Sequence, residues 1–421
     1  MATIGLHYMK EFACLGPECP ATCCQGWGIH FTKSGFHALQ DKKKSSPVEL
    51  RTKQWFTVLP ETQRTDAIYA MADKVENGNC VALDREGLCD IHKNFGPNAL
   101  PSICDSFPRR VFQENDSTLI YGEVSCPPIA KEVLTNPNAL IYEEFEDFPA
   151  ERLKVHQVLM SPKTSTYENA QGIFREVGIH LLSLESYSLD QRLLALLNFS
   201  VRISEVIQKN SKNVDVEAFE ACVGEFMSPT PPLLHNDKEL NGPEGVQVTL
   251  RLISLLANHA NPDTHPQFSA LIQGIFDQFK NIDTGGTHEV SHQEIGTWVQ
   301  NNLKALHRYH GGIFDGYILR AGIHSWLSRP YRKHVTLLNY ATELAGFLHS
   351  FRFCMANHPS LLSAEGEISI ESFEMIAIDT LFGLARSLEH GPNLSKALVS
   401  TRQAHALESN QFLTHLATSF R

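Results

Sequence analysis

Eight of the ten cysteines in this 421-residue chain precede residue 127. They open as Cys14-x4-Cys19-x3-Cys23-Cys24, followed by Gly26-Trp27, and resume at Cys80, Cys89, Cys104 and Cys126. Only Cys222 and Cys354 lie beyond. Thiols gathered in this way can form a disulfide framework, ligate metal or carry out redox chemistry. The opening Met1-Ala2-Thr3-Ile4-Gly5-Leu6-His7 has no basic segment leading into a long apolar one, so no secretory signal is expected. No uncharged apolar run approaches the length of a membrane span. The expected location is therefore cytoplasmic. In a reducing compartment clustered cysteines bind metal more often than they form structural disulfides.

The spacing bears on which metal. A tetrahedral zinc site usually draws its four nitrogen or sulfur ligands in closely spaced pairs. An iron–sulfur cluster is larger, tolerates looser spacing, and often has a Cys-Pro step nearby. Cys19-Pro20 and Cys126-Pro127 both occur here, and no CxxC pair does. Adjacent Cys23 and Cys24 project differently, so two separate centres, or two irons of one cluster, use them more easily than one small ion. Eight thiols also make two sets of four. The balance favours an iron–sulfur cluster of the 4Fe-4S type, with zinc as the alternative. The expected ligands are Cys14, Cys19, Cys23, Cys24, Cys80, Cys89, Cys104 and Cys126. The radical S-adenosylmethionine signature CxxxCxxC is absent, because Gly26 stands at its third cysteine position.

Two groups in the second half also carry chemistry-bearing residues. His288-Glu289-Val290-Ser291-His292 matches the HExxH of zinc proteases, but it follows a Gly-rich stretch instead of lying inside an apolar helix. No Glu occurs between Glu294 and Glu343 to complete the metal site, and Ile295 stands where the extended motif needs Gly, so a protease is not expected. His307-Arg308-Tyr309-His310-Gly311-Gly312, with Asp315 and Tyr317, is denser. It can supply a general base or an amine-orienting carboxylate, and His310, Asp315 and Tyr317 are the catalytic candidates. The same residues also fit a helix end with surface histidines and a Gly stop.

The elements that must position these groups differ along the chain. To about residue 135 the sequence is rich in Gly, Pro and Cys. Cys80 to Cys89 suggests a hairpin turning at Asp84-Arg85-Glu86-Gly87, and Thr118–Tyr121 a further strand. A helix capped by Thr32 or Ser34 and interrupted near Pro47 should fill much of 32–56. From about residue 150 apolar residues recur at helical spacing, as in Leu196, Phe199, Ile203, Val206 and Ile207. Similar stripes cover 248–260, 268–279, 335–355 and 373–388. The acidic run Glu143 to Asp147 fits a solvated linker. The expected fold is mainly α: a small cysteine-rich α+β metal-binding domain over 1–135, then a large all-helical substrate or partner domain over 136–421. A hydrophobic content of 42% suits a globular chain, and a net charge of −11 argues against nucleic-acid binding.

The cysteine segments resemble the cysteine-cluster family that contains flagellin lysine N-methylases. The likeness runs through Cys14-x4-Cys19-x3-Cys23-Cys24-x-Gly26-Trp27, Cys80-Val-Ala-Leu-Asp, Gly87-Leu88-Cys89-Asp-Ile-His92, Leu100-Pro101-Ser102-Ile103-Cys104, Phe107-Pro108-Arg109 and Ser125-Cys126-Pro127. In the second half Ala385-Arg386-Ser387-Leu388-Glu389-His390 is similar to a segment late in those methylases. Otherwise Arg386 and His390 would be taken as a solvated or capping pair. The resemblance implies a metal-binding N-terminal domain and methyl transfer to the ε-amino group of lysines on a protein such as flagellin, with S-adenosylmethionine as donor. Gly242-Pro-Glu-Gly245, Gly285-Gly286 and Gly311-Gly312 follow no convincing buried strand, so no Rossmann-type donor site is expected and the donor-binding residues are unassigned. Arg109 and Arg110 are placed to offset the charge of a thiolate-bound cluster, and Arg110 equally suits a plain surface role. The alternative is a non-enzymatic iron–sulfur or zinc protein whose helical half is a docking scaffold.

Overall fold

The computed structural model describes residues 2–25, 28–75, 78–114, 117–146, 157–160, 170–209, 214–235, 240, 242–258, 266–280, 282, 290–328, 336–363, 367–388 and 393–418. The architecture is mainly α, with a small α+β region at the N-terminal end. Its larger sheet has the order β7-β1-β6-β5-β8, with β1 at Ala2–Leu6, β5 at Arg109–Glu114, β6 at Ser117–Gly122, β7 at Tyr142–Glu144 and β8 at Gln157–Met160. The strand expected at Thr118–Tyr121 is β6, hairpinned antiparallel to β5 and parallel to β1. Its residues from Thr118 to Gly122 are all buried, because the sheet is covered on both faces and does not alternate between core and water.

A smaller antiparallel sheet, β2-β4-β3, joins His30–Phe31, Ala70–Ala72 and Phe56–Val58. It shares a compact apolar cluster with Leu39, Trp55 and Ile91. The helix expected after Thr32 spans Lys33–Lys44, and the Thr32 hydroxyl accepts from the Gly35 amide at 3.1 Å. It ends before Pro47, which caps a short helix at Val48–Thr52. Cys80 to Cys89 is not a two-stranded hairpin. A single bridge pairs Leu83 with Cys89, and the Asp84 carboxylate accepts from the Glu86 and Leu88 amides at 2.9 Å each. Gly87 takes φ +79°, which a Cβ would strain. Local polar capture thus outcompetes strand pairing in this loop.

The remaining core is helical. The apolar stripes read from the sequence lie, in their described parts, on the helices Leu189–Lys209, Gly242–Asn258, Pro266–Lys280, Leu337–Ala356 and Ile370–Leu388, and residues 259, 260 and 335 of those stripes lie outside the described residues. The longest helix, His292–Ser328, runs straight through Gly311 and Gly312, so these glycines are not a stop. An interior Gly costs about 1 kcal/mol, which packing along 37 residues outweighs. At its far end the Trp326 ring lies so close to Gly178, on the helix Gln171–Leu182, that a Cβ there would stand 2.1 Å from it. Glu143 and Glu144 of the expected solvated run lie in β7 instead, where Glu143 accepts from His7 and pairs with Lys10.

The sheet and the helices share one apolar core that includes Leu6, Val111, Ile120, Phe314 and Leu384. Polar contacts of the long helix, among others, tie it to the N-terminal region. The Tyr8 hydroxyl lies 2.7 Å from His324 Nε2 and accepts from the Gly122 amide at 3.0 Å. Arg320 Nε donates to the Leu134 carbonyl at 2.8 Å. The helix Ile370–Leu388 packs on Pro127–Thr135, directly after Cys126. Among the described residues no helix is long and apolar enough to cross a membrane.

Candidate metal centre

All eight cysteines of the N-terminal region border one cavity of about 520 Å³. They arrive from separate pieces of chain, each fixed by its own backbone device. Cys14 and Cys19 flank the short turn Gly16–Glu18; the Gly16 amide lies 3.4 Å from Cys14 Sγ, and Cys19 Sγ donates to the Ala21 carbonyl at 3.3 Å. Cys23 and Cys24 sit in a turn that is tied to the next segment by the Cys80 amide donating to the Cys24 carbonyl at 2.7 Å. Cys89 and Cys126 cap the starts of the helices Asp90–Phe95 and Pro127–Thr135. The backbone of Ile91 and His92 at Cys89, and of Ile129 at Cys126, acts against the larger effect of burial on these thiols. Cys104 lies within Ser102–Ser106, its amide bonded to the Pro101 carbonyl. Cys222 and Cys354 are buried elsewhere and do not border the cavity.

The electrostatics show what the thiols lack. Burial raises Cys19, Cys80, Cys89 and Cys104, and lifts Cys126 to about 12. Negative charge on neighbouring thiols adds to the burial effect. Cys23 is the exception: a hydrogen bond with Cys24 and the nearby Arg386 guanidinium bring it down to about 7. Most of these groups stay protonated at neutral pH unless a cation replaces the protons. A set of eight soft donors fits zinc or iron by chemical type. Among the described residues no three His, Cys, Asp or Glu side chains form a ready metal-ion group.

Two arginines supply positive charge. Arg386, buried on the helix Ile370–Leu388, donates to the Thr22 carbonyl at 2.5 Å and to the Gln25 carbonyl at 2.9 Å, bracketing the Cys23-Cys24 turn. Sequence reasoning left it as a solvated or capping residue apart from the resemblance; its one local signal is its place in the apolar stretch Leu381–Leu388. Arg109, one of the two arginines expected to offset cluster charge, borders the cavity and lies over the Phe12 ring. Arg110 instead pairs with Glu123 at 3.1 Å and lies over Phe112. His310 stacks on Phe373 with ring centres 4.2 Å apart, and the Tyr317 hydroxyl donates to Glu374 at 3.0 Å. Asp315 is exposed, 4.0 Å from His307, and none of the three borders the cavity. Gly26, Trp27, His288, Glu289, Glu389 and His390 lie outside the described residues.

A ring of thiols on loops and helix starts, with an arginine beside it, has the donor set that a metal-chelating cysteine domain needs. Residues 13–127 match the CxxCxxCC family model, described as "Putative zinc- or iron-chelating domain". The chain is 26% identical over 141 residues to the flagellar biosynthetic protein FliU of Salmonella muenchen, covering 34% of this chain and 82% of that protein. Over 137 residues it is 26% identical to the lysine-N-methylases of Salmonella typhimurium and Salmonella choleraesuis, covering 32% of this chain and 33% of each of them. These matches bear out the resemblance seen in the cysteine segments. The aligned region thus spans about a third of the lysine-N-methylases' length. No solved structure matches the chain.

Proposed function

We propose that this protein is a lysine N-methyltransferase acting on a protein substrate, flagellin being the expected one, with an iron–sulfur centre on its cysteine ring and S-adenosylmethionine as donor. The observation that carries this reading is the meeting of all eight thiols and Arg386 of the helical half at one cavity. The printed names of the relatives, lysine-N-methylase and flagellar biosynthetic protein, support the reaction and the class of substrate.

An iron–sulfur centre held by these cysteines would supply redox character to the site. The chain's own residues do the rest. Phe12, Leu15, Leu88, Ile103 and Phe107 line the cavity with apolar surface that suits the methylenes of a lysine. The lysine amine must lose a proton to attack. As its nitrogen bonds the methyl carbon, the carbon–sulfur bond of the donor breaks and leaves a thioether. His92 and Asp105 on the cavity wall are within the site to take the proton. His310, Asp315 and Tyr317 are a second acceptor-side candidate, from a different helix.

Co-production with a flagellin, followed by intact-mass and peptide mapping, tests the reaction: mass steps of one methylene on lysines are expected. A brown protein with acid-labile sulfide is expected from oxygen-free purification. A colourless protein with stoichiometric zinc overturns the iron–sulfur assignment, and metal without methylation favours a docking scaffold. In the variant carrying His310→Ala and Asp315→Ala, metal content should be retained and methylation lowered; unaltered methylation removes this group from the reaction.

A further inference from the structure

An arginine drawn into a protein normally directs its N–H groups at nearby oxygens, because unmet donors are costly away from water. Arg175 grips Glu114, and Arg352 reaches Asp190 and the Ala417 carbonyl. Two arginines border the cysteine cavity, and Arg386 is already committed to the Thr22 and Gln25 carbonyls. Arg109 differs. Its guanidinium lies 5.2 Å from the centre of the Phe12 ring, half-buried on the cavity wall, and among the described residues no oxygen accepts from it. Asp105 acts on it electrostatically but forms no ion pair with it. Its backbone is held at the start of the β5–β6 hairpin, where it pairs with Gly122. Side chains alternate along a strand, so the next residue, Arg110, turns the other way and meets Glu123. A rigid strand thus presents one cation with open donors to the cavity.

We propose that Arg109 binds the carboxylate of the methyl donor at this cavity. The inference deepens the proposed reaction and rests on S-adenosylmethionine being its donor. A guanidinium presents a planar fork of N–H groups that matches a carboxylate through two parallel hydrogen bonds. Of the groups that the reaction brings together, the donor's sulfonium, its amino group and the lysine ammonium are cations, and the adenosine is neutral. The donor's carboxylate is the anion among them, and an open fork attracts it. The Phe12 ring backs the guanidinium on one side and steadies it. At about 520 Å³ the cavity falls within the range of small-molecule sites, roughly 300–1,000 Å³. Offsetting thiolate charge makes no use of the fork, so the two roles of Arg109 separate in experiment: one moves metal retention, the other moves discrimination for a carboxylate.

The test is calorimetric titration of the full-length, metal-loaded protein with S-adenosylhomocysteine and with decarboxylated S-adenosylhomocysteine, which lacks that one group. Metal content is measured alongside. Wild type should bind the carboxylated compound roughly tenfold to a hundredfold more tightly. Arg109→Gln should bind the two compounds alike and keep its metal. Arg109→Lys keeps the charge without the fork and should recover only part of the preference. If the Gln variant does not fold, the Lys variant carries the test, and an undiminished preference there overturns the proposal. Equal binding of the two compounds by wild type, or a full preference in Arg109→Gln, also overturns it. Loss of metal from Arg109→Gln with both compounds weakened alike leaves the residue a charge-offsetting role only, and overturns the carboxylate site. A wild-type protein that binds neither compound overturns the donor reading and the proposal together. A preference that depends on Arg109, without methylation of flagellin lysines, supports the carboxylate site and overturns only the acceptor reading.

Discussion

Arg386 shows how much one side chain can do when its partners lie some 360 positions away in sequence. A buried guanidinium is stable only if its donors find acceptors, and two backbone carbonyls of the cysteine turn meet that need. Burial lowers its proton affinity while the thiols Cys23 and Cys19 pull it back up, so the cation and the thiols support each other. Arg386→Gln leaves both carbonyls short of a charged donor, and should cost about 3 kcal/mol of stability. It should also weaken metal retention against a chelator, because the turn carrying Cys23 and Cys24 loses its brace. Arg386→Lys keeps the charge but not the planar fork, and should recover only part of the retention. Chelator titrations that superimpose for wild type and the Gln variant would remove this residue from the site.

Between elements, buried polar contacts determine where the helices cross. Thr249 on Gly242–Asn258 places its hydroxyl 3.0 Å from His349 on Leu337–Ala356 and 3.1 Å from His415 on Ser409–Thr418. Burial holds His349 well below the ordinary imidazole range and brings His415 down to about 4. The sign follows from where the protons go. Below about pH 6.5 the unfolded chain protonates these rings, while the folded chain keeps His415 neutral down to about 4 and His349 neutral well below the ordinary range. Their stabilising effect is therefore complete above about pH 6.5 and is lost as the pH falls toward about 4. For His415 the loss should reach about 3 kcal/mol. Thermal unfolding from neutral to acidic pH should fall less steeply in His415→Gln than in wild type, and parallel curves would refute the assignment.

At the scale of the molecule, the cysteine region is not independent of the helices. Ile129, Val133 and Leu134 follow Cys126 and are completely buried, on a helix that packs against Ile370–Leu388 and His292–Ser328. Each such side chain contributes about 2 kcal/mol by its burial. The sheet partners Tyr142–Glu144 and Gln157–Met160 come from beyond residue 135. Residues 1–135 produced alone should therefore lose the brace from Arg386, expose this apolar face, bind metal weakly and show no methylation. The checks are sedimentation, metal content and the flagellin mass assay. A soluble monomeric fragment with full metal content would contradict the shared core.

Much of this was legible in the chain because it depends on local chemistry. The helical stripes carry their own 3.6-residue period, and clustered soft ligands are visible as residue types whatever their partners. Asp84 and Gly87 advertised a turn, yet the sequence could not tell a hairpin from a loop captured by a carboxylate, since both use the same residues. Gly311 and Gly312 signalled a stop that packing along the long helix overrode. Which thiols face each other, and that an arginine from the last third of the chain holds their turn, depend on contacts between segments far apart in sequence. The sequence by itself determined the cysteine cluster as residue types and the helices as stripes; only the tertiary structure decided that thiols from separate segments border one cavity, because that depends on which apolar cluster each loop packs against.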